Sequence, residues 1–397
     1  MAEGQDFFSL AFGHGLNVRF IAMPHQISQQ DPAAGMSTST LAPRVSISVL
    51  KSFVIDALKS TGLSERDCET TAEALVSTDV LGVFTHGTKL LAGYLKKLQG
   101  GGYRIEGCPR IEREGPSWAV IDGDSALGQV GCGFSLDQAI AKAERCGTAF
   151  VSLRNTGHIG AAGHFAAKAA RRGFITIITG NDIPSVAAPG STKAVLGSNP
   201  LAYAVPTSGD PILLDIATAA VAGGKVYAAH QRGEPIPSTW LIGPNGLPTT
   251  DGSLYPHAAA LAPMAGHKGY GMGLLCEILS GVISGGHLTW NVGSWIFDPA
   301  SRPSWHNASI QLIHLDAVVD RNEFNQRMDS LIGEIHSAPT AAGVDRVLLP
   351  GEREWANRRS AEQFGIPLPK DVRIKLREAA EMTSLVIPSE LQSEKDH

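Results

Sequence analysis

Four short stretches of the chain gather side chains that could do chemistry. Thr85-His86-Gly87 sets an imidazole in a glycine-bounded loop, and imidazoles give and take protons near neutral pH. Arg154-Asn155-Thr156-Gly157-His158 adds a second imidazole, an amide and a guanidinium at the end of a run that reads as a strand. Ligands of α/β folds gather at the carboxyl ends of strands. Leu214-Asp215-Ile216-Ala217-Thr218 carries an acid within an apolar run, followed by Gly223, Gly224 and Lys225. Pro263 to Gly269 sets His267 and Lys268 at a helix start, where a cation opposes the macrodipole and an anionic ligand would relieve the conflict. Each stretch has a plainer explanation. His86 could be an ordinary packed or surface histidine, and Asn155 and His158 could satisfy loop backbone groups. Asp215 could cap the helix that follows.

General fingerprints do not decide between these readings. The chain has no phosphate-binding G-x-x-x-x-G-K-[ST], no zinc-protease H-E-x-x-H and no G-x-S-x-G nucleophile elbow. Gly269, Gly271 and Gly273 open a helix, but their spacing is wrong for a Rossmann dinucleotide site. Gly157, Gly160 and Gly163 lie between a strand and a helix, which suits an anion cradle and close helix–sheet packing equally well.

The elements that must position these stretches follow from periodicity and punctuation. A helix capped by Ser46 carries Ile47, Leu50, Val54, Ala57 and Leu58 on one face and stops near Gly62. A second runs from Ser64 to Gly82, and a third covers residues 89–98. His86 therefore sits in the loop of a small helical unit. Farther along, strands at Trp118–Asp122, Thr148–Leu153 and Phe174–Ile178 alternate with helices at Ser135–Cys146 and Ala161–Arg172, the pattern of an α/β domain. Residues 181–263 read as turn-rich. A helix is expected over Gly269–Ile283, a strand over Ser309–Val319 with Leu312, His314 and Val318 on one face, and helices over Glu323–Ala338 and Asp371–Thr383. Residues 1–43 read as a disordered tail, with Met36 as an alternative start.

Composition narrows the function classes. The 397 residues carry 33 Lys+Arg against 38 Asp+Glu, a net charge of −5 with no basic cluster, so nucleic acid and anionic membranes are not expected partners. Five cysteines, an odd number with no C-x-x-C pair, argue against a disulfide framework or a metal centre and favour a cytoplasmic setting. The longest apolar stretch, about residues 270–286, contains Glu277 and several glycines and reads as a buried helix.

Taken together, the order and spacing of the motifs resemble the malate/L-lactate dehydrogenase family of the second, non-Rossmann type. The matching stretches are Phe84–Gly87, Asn155–Gly160, Leu196–Leu201, Asp215–Thr218 with Gly224 and Lys225, Gly233–Pro237, Gly246–Thr249, Pro263–Gly271, Pro350–Glu352 and Gly365-Ile366. The resemblance implies an α/β fold with a mixed sheet and a small helical unit built from both ends of the chain. That unit would comprise 44–116 plus 340–390 and serve substrate binding and dimer formation, while 117–339 would bind the cofactor. It further implies a homodimer that uses NAD or NADP to move a hydride to or from C2 of a 2-hydroxy or 2-oxo acid. A cyclic imine reductase and a non-catalytic member of the same fold are the alternatives.

Carried over by position, His86 is the general acid/base. Thr85, Lys89, Asn155 and His158 face the substrate. Asn181, Ile212, Leu213, Leu214, Asp215, Ile216, Ala217, Thr218, His267, Lys268, Gly351, Glu352 and Arg353 contact the cofactor. Thr85 stands where the family has Ser, and Leu90 and Leu81 stand where relatives carry Arg. Loss of an Arg removes a bidentate clamp for carboxylate, so malate or lactate does not follow automatically.

Overall fold

The computed structural model describes residues 43–392, so the expectations for the N-terminal tail and for Met36 lie outside the described residues. The chain opens with β1 (Arg44–Val45), α1 (Ile47–Lys59), α2 (Glu65–Val80) and α3 (Leu91–Gly100). β2 (Arg110–Glu114), β3 (Trp118–Asp122), α4 (Gly128–Cys146), β4 (Thr148–Thr156), α5 (Ala162–Ala170) and β5 (Phe174–Gly180) follow. Next come β6 (Val186–Ala187), β7 (Ala194–Leu196), β8 (Leu201–Val205), β9 (Ile212–Ile216) and α6 (Gly223–Gln231). β10 (Leu241–Ile242), β11 (Pro248–Thr249), β12 (Ala260–Leu261) and α7 (His267–Glu277) lead to β13 (His306–His314). The chain closes with α8 (Leu315–Val318), α9 (Arg321–His336), α10 (Glu352–Phe364), β14 (Ile366–Pro367) and α11 (Lys370–Thr383).

The first two helices form where sequence periodicity puts them. Ser46 Oγ accepts the Val49 N–H at 3.2 Å and caps α1, and Ser64 does the same for Asp67 in α2. The buried face of α1 is Leu50, Phe53, Val54, Ala57 and Leu58. It joins residues of α2, α3 and α11 in one hydrophobic core, and β1 pairs antiparallel with β14, tying the two ends of the described chain together. A second core lies between α4, α5 and the main sheet, and a third, smaller one includes Val186, Leu241 and Leu261 of a second sheet.

The main sheet has seven strands in the order β2-β3-β4-β13-β5-β8-β9. Only β3 and β4 pair in parallel; every other neighbouring pair is antiparallel. β13, more than a hundred residues downstream, inserts between β4 and β5. Alternation of strands and helices therefore correctly indicates an α/β fold, while the sheet itself is mixed. A five-stranded sheet, β11-β10-β12-β6-β7, stands beside it in the topology. Among the described residues no helix is long and apolar enough to cross a membrane.

Several elements differ from expectation for identifiable reasons. α4 starts at Gly128 rather than near Ser135. Gly128, Gly131 and Gly133 weaken its sequence pattern, since glycine is about 1 kcal/mol worse than Ala in a helix. Two of them are required by packing: a Cβ on Gly131 would stand 2.5 Å from Thr156 Oγ1, and one on Gly128 2.5 Å from Gly157 O. The segment read as turns contains the hairpin β8–β9, which completes the main sheet. Its inward residues on β8 are Ala202 and Ala204, both fully buried, too small to mark a strand by periodicity. The strand expected over Ser309–Val319 is β13, displaced toward the N-terminus, and Val318 belongs to α8. The sequence pattern misses His306 and Asn307 because they are polar, yet both are buried with their polar atoms bonded.

Candidate active site

The loop between α2 and α3 carries Thr85 and His86 and is held from below by a buried carboxylate. Asp79 Oδ2 accepts both the N–H and the hydroxyl of Thr88, at 3.0 and 2.5 Å. Gly87 passes so close to Asp79 that any Cβ there would collide with the carboxylate. Burial pushes the Asp79 carboxyl up to about 7, partly offset by the bonds from Thr88. On the exposed side of the loop, Thr85 Oγ1 lies 3.0 Å from His86 Nδ1, which leaves Nε2 as the free nitrogen.

His86 faces a second imidazole. Its ring centroid is 5.9 Å from that of His158, which follows the end of β4. His158 is fixed on several sides. Trp295 stacks on it at 4.9 Å, Tyr103 accepts its backbone N–H, and Tyr94 Oη lies 2.8 Å from Nδ1. Gln129 Nε2 donates to the same Tyr94 oxygen, so the tyrosine proton points to His158 Nδ1 and the histidine carries its own proton on Nε2. Burial pulls the His158 pKa down to about 3, helped by the nearby charges of His306 and His86. It is a neutral hydrogen-bond donor. Behind it, His306 meets it edge-on at 5.5 Å and bridges Ser304 and Asp182.

A cavity of about 420 Å³, within the size range of small-molecule sites, opens beside the loop that carries His86, with neither imidazole of the pair in its wall. Val83 of the same loop, Leu81, His164, the Leu213–Ile216 stretch of β9, and Leu348–Gly351 with Arg353 line it. The Leu213 N–H donates to Pro350 O at 3.0 Å, which joins β9 to the turn before α10. Gly351, at φ +94°, could not be replaced without a Cβ striking Leu213 at 2.9 Å. Asp215 Oδ2 accepts the Gly163 N–H at 2.7 Å and so caps α5, an earlier helix than the one the sequence suggested. Asp215 is open to solvent along the cavity wall, and the protein atoms around its carboxyl raise its pKa, opposed by the Gly163 bond and the charge of His86.

The structure thus brings together His86, Thr85 and His158, and separately Leu213, Leu214, Asp215, Ile216, Gly351 and Arg353. Other expected site residues are engaged elsewhere. Lys89 donates to Asp371 of α11 at 2.6 Å. Asn155, at φ +54°, turns its amide toward Asp122 at 3.4 Å. Asn181 is buried with its amide spent on Glu277, His287 O and Asn307. Thr218 donates to backbone oxygens at Ser198 and Asn199, while its own carbonyl accepts from Met264, which brings the start of α7 alongside. His267 and Lys268 are exposed there. Glu352 accepts the Leu349 N–H and faces His336, and the exposed faces of Ile212 and Ala217 are partial. Leu90 is buried in the helical core, so neither Arg position supplies a cation. Tyr94, Tyr103, Gln129, Trp295, His306 and Asp182 were not anticipated. The one sequence cue was His306-Asn307, two adjacent polar residues at the start of β13. Among the described residues no group of three or more His, Cys, Asp or Glu could hold a metal ion.

The buried imidazoles set a pH dependence of stability. His158 titrates at about 3 and His164, buried beside Ser77, at about 4, both below the ordinary value near 6.5. Their stabilising effect is complete above pH 6.5 and is lost as pH falls toward 4, because the unfolded chain takes up protons that the folded one refuses. Asp79 and Asp215, both raised, act in the opposite sense, their effects fading as pH rises, but they are two groups against three, since burial also lowers the His287 pKa. The thermal midpoint should therefore fall between pH 6.5 and 4.5, and His164→Gln should make that decline shallower. A midpoint independent of pH in this window would contradict the assignment.

Comparison with known proteins identifies the surrounding fold. The profile of the malate/L-lactate dehydrogenase family matches residues 45–377. A malate dehydrogenase of Pyrococcus abyssi is 36% identical over 338 residues, covering 83% of this chain and 92% of its own. The structure of the malate dehydrogenase from Pyrococcus horikoshii superposes with a TM-score of 0.78 at 33% identity, over 86% of this chain and 96% of its own. The Δ1-piperideine-2-carboxylate reductase of Pseudomonas syringae pvar. tomato gives 0.76 at 26% identity, over 85% and 99%. The chain belongs to the malate/L-lactate dehydrogenase family of oxidoreductases.

Proposed function

We propose that the protein is an NAD- or NADP-dependent dehydrogenase that interconverts a 2-hydroxy acid and its 2-oxo acid, with His86 as general acid/base. The observation that carries this is the His86–His158 pair, 5.9 Å apart, with His86 on a loop whose Val83 also walls the cavity of Leu213–Ile216, Gly351 and Arg353. The residues present fit a nicotinamide dinucleotide: leucine walls suit a flat ring, the Gly351 turn lets a ligand approach the backbone, and the Arg353 guanidinium suits a phosphate. When bound, the cofactor supplies or accepts the hydride at C4 of its nicotinamide. His86 Nε2, the nitrogen that Thr85 leaves free, delivers a proton to the oxygen on C2 during reduction and removes it during oxidation. His158 donates from Nε2 and orients the carbonyl. The test is oxidation of NADH or NADPH in the presence of a 2-oxo acid.

A second assignment exchanges the two histidines. It is favoured by the way Tyr94, Tyr103 and Trp295 hold His158, since a catalytic base is commonly oriented by a third group. Comparison of His86→Gln with His158→Gln separates them, because only loss of the acid/base removes the pH dependence of kcat.

A homodimer is part of the same proposal. α7 inverts the usual pattern: its buried residues are Gly269, Gly273, Cys276 and Glu277, while Leu275 is 54% exposed. Val282 and Ile283 continue the apolar face along the π-type turn Ile278–Val282. A second copy of this chain would cover it. Light scattering should give twice the chain mass, and Leu275→Asp should shift the protein to monomer. A monomeric parent protein would contradict this. The cysteines Cys68, Cys108, Cys132, Cys146 and Cys276 are free, which supports a reducing, cytoplasmic setting.

A further inference from the structure

The cluster behind His158 contains one carboxylate, and the side chain bonded to it is His306. Asp182 follows β5 at a point where it reaches His306. Its Oδ1 accepts from His306 Nε2 at 3.1 Å and from the Ile183 N–H at 2.8 Å. Oδ2 takes no hydrogen bond from the described side chains, and the side chain is 25% exposed. Burial alone would raise this carboxyl, but the hydrogen bond from His306 leads the contributions that outweigh it and hold it low, so Asp182 is anionic at neutral pH. Lys89 is paired with Asp371, and Arg154 with Glu112. His158 itself is neutral.

Asp182 lies close enough to act electrostatically on His158, so a substrate bound at His158 sits in the field of that carboxylate. We infer that Asp182 is a specificity-determining residue that disfavours dianionic substrates and selects 2-oxo or 2-imino monocarboxylates whose remaining substituent is neutral or cationic. This rests on the dehydrogenase reading above. Two like charges in a partly buried site repel far more than in water, which predicts a preference of about 10–100-fold. Asp182 acts on the choice of substrate through its charge, and the hydride and proton transfers remain those already assigned.

The experiment compares kcat/KM for oxaloacetate, a dianion, with that for 2-oxobutyrate, which has the same carbon count and a neutral end, using the parent protein, Asp182→Asn and Asp182→Glu. The parent should prefer 2-oxobutyrate. Asp182→Asn, which keeps an acceptor for His306, should reduce the ratio about 10–100-fold, and Asp182→Glu should retain most of the preference. A merely structural residue would lower both values alike and leave the ratio unchanged, which would overturn the inference. Preference of the parent for oxaloacetate would also overturn it while leaving the dehydrogenase reading intact. Failure to use either acid or a cyclic imino acid, with no binding of NADH or NADPH, would instead remove the reading on which it rests.

Discussion

Replacing His86 with Ala should lower kcat/KM for reduction of a 2-oxo acid by about 10²–10⁴-fold, the usual contribution of a positioned acid/base. The loop should survive the change, because its anchor is Asp79 on Thr88 and the His86 side chain is exposed. Cofactor affinity should also persist, since the cavity is lined by Val83, Leu213–Ile216 and Gly351 rather than by the imidazole. The effect should therefore be concentrated in kcat. Cofactor fluorescence and steady-state rates on the same preparation separate the two quantities. Turnover that survives with cofactor binding intact would pass the acid/base role to His158.

The second large effect is expected far from any reacting atom. Gly128 opens α4 where the helix passes beneath the Gly157-His158 backbone. A Cβ there would stand 2.5 Å from Gly157 O and closer still to the His158 carbonyl group, contacts with main chain that no rotamer change relieves. Alanine's better helix propensity would by itself stabilise α4 by about 1 kcal/mol. Overpacking against rigid backbone costs roughly 1–3 kcal/mol, sometimes more, so the clash prevails. Gly128→Ala should lower the thermal midpoint and also displace His158, reducing turnover further than lost stability explains. Gly224→Ala, with nothing within 4 Å of the added carbon, serves as the comparison and should be near neutral. Equal melting of the two variants would show that α4 has more room than its packing indicates.

Sequence alone made some of this visible and hid the rest for physical reasons. α1 and α2 were legible because a serine cap precedes a regular apolar face in each. His86 and His158 stood out through their glycine-rich surroundings, and the resemblance assigned the β9 and Gly351 stretches to the cofactor, while their shared cavity wall emerged only in the fold. The mixed sheet was implied by the resemblance, but the insertion of β13 between β4 and β5 is a long-range pairing that local periodicity does not encode. β8 was hidden because its inward positions are alanines. The support of His158 was hidden for a different reason. Tyr94, Gln129, Trp295 and His306 come from separate elements, and only the fold brings them to one ring. Lys89 shows the converse. It is adjacent in sequence to the position where relatives carry Arg, yet its ammonium reaches Asp371 on α11.

The most direct measurement is loss of nicotinamide absorbance when purified protein is mixed with NADH or NADPH and, in turn, pyruvate, 2-oxobutyrate, oxaloacetate and a cyclic imino acid. Oxidation of one cofactor, dependent on at least one of these acceptors and lost in His86→Ala, is the predicted result. Absence of turnover with every acceptor, together with no binding of either cofactor by fluorescence, would contradict the assignment of this site to nicotinamide-dependent hydride transfer.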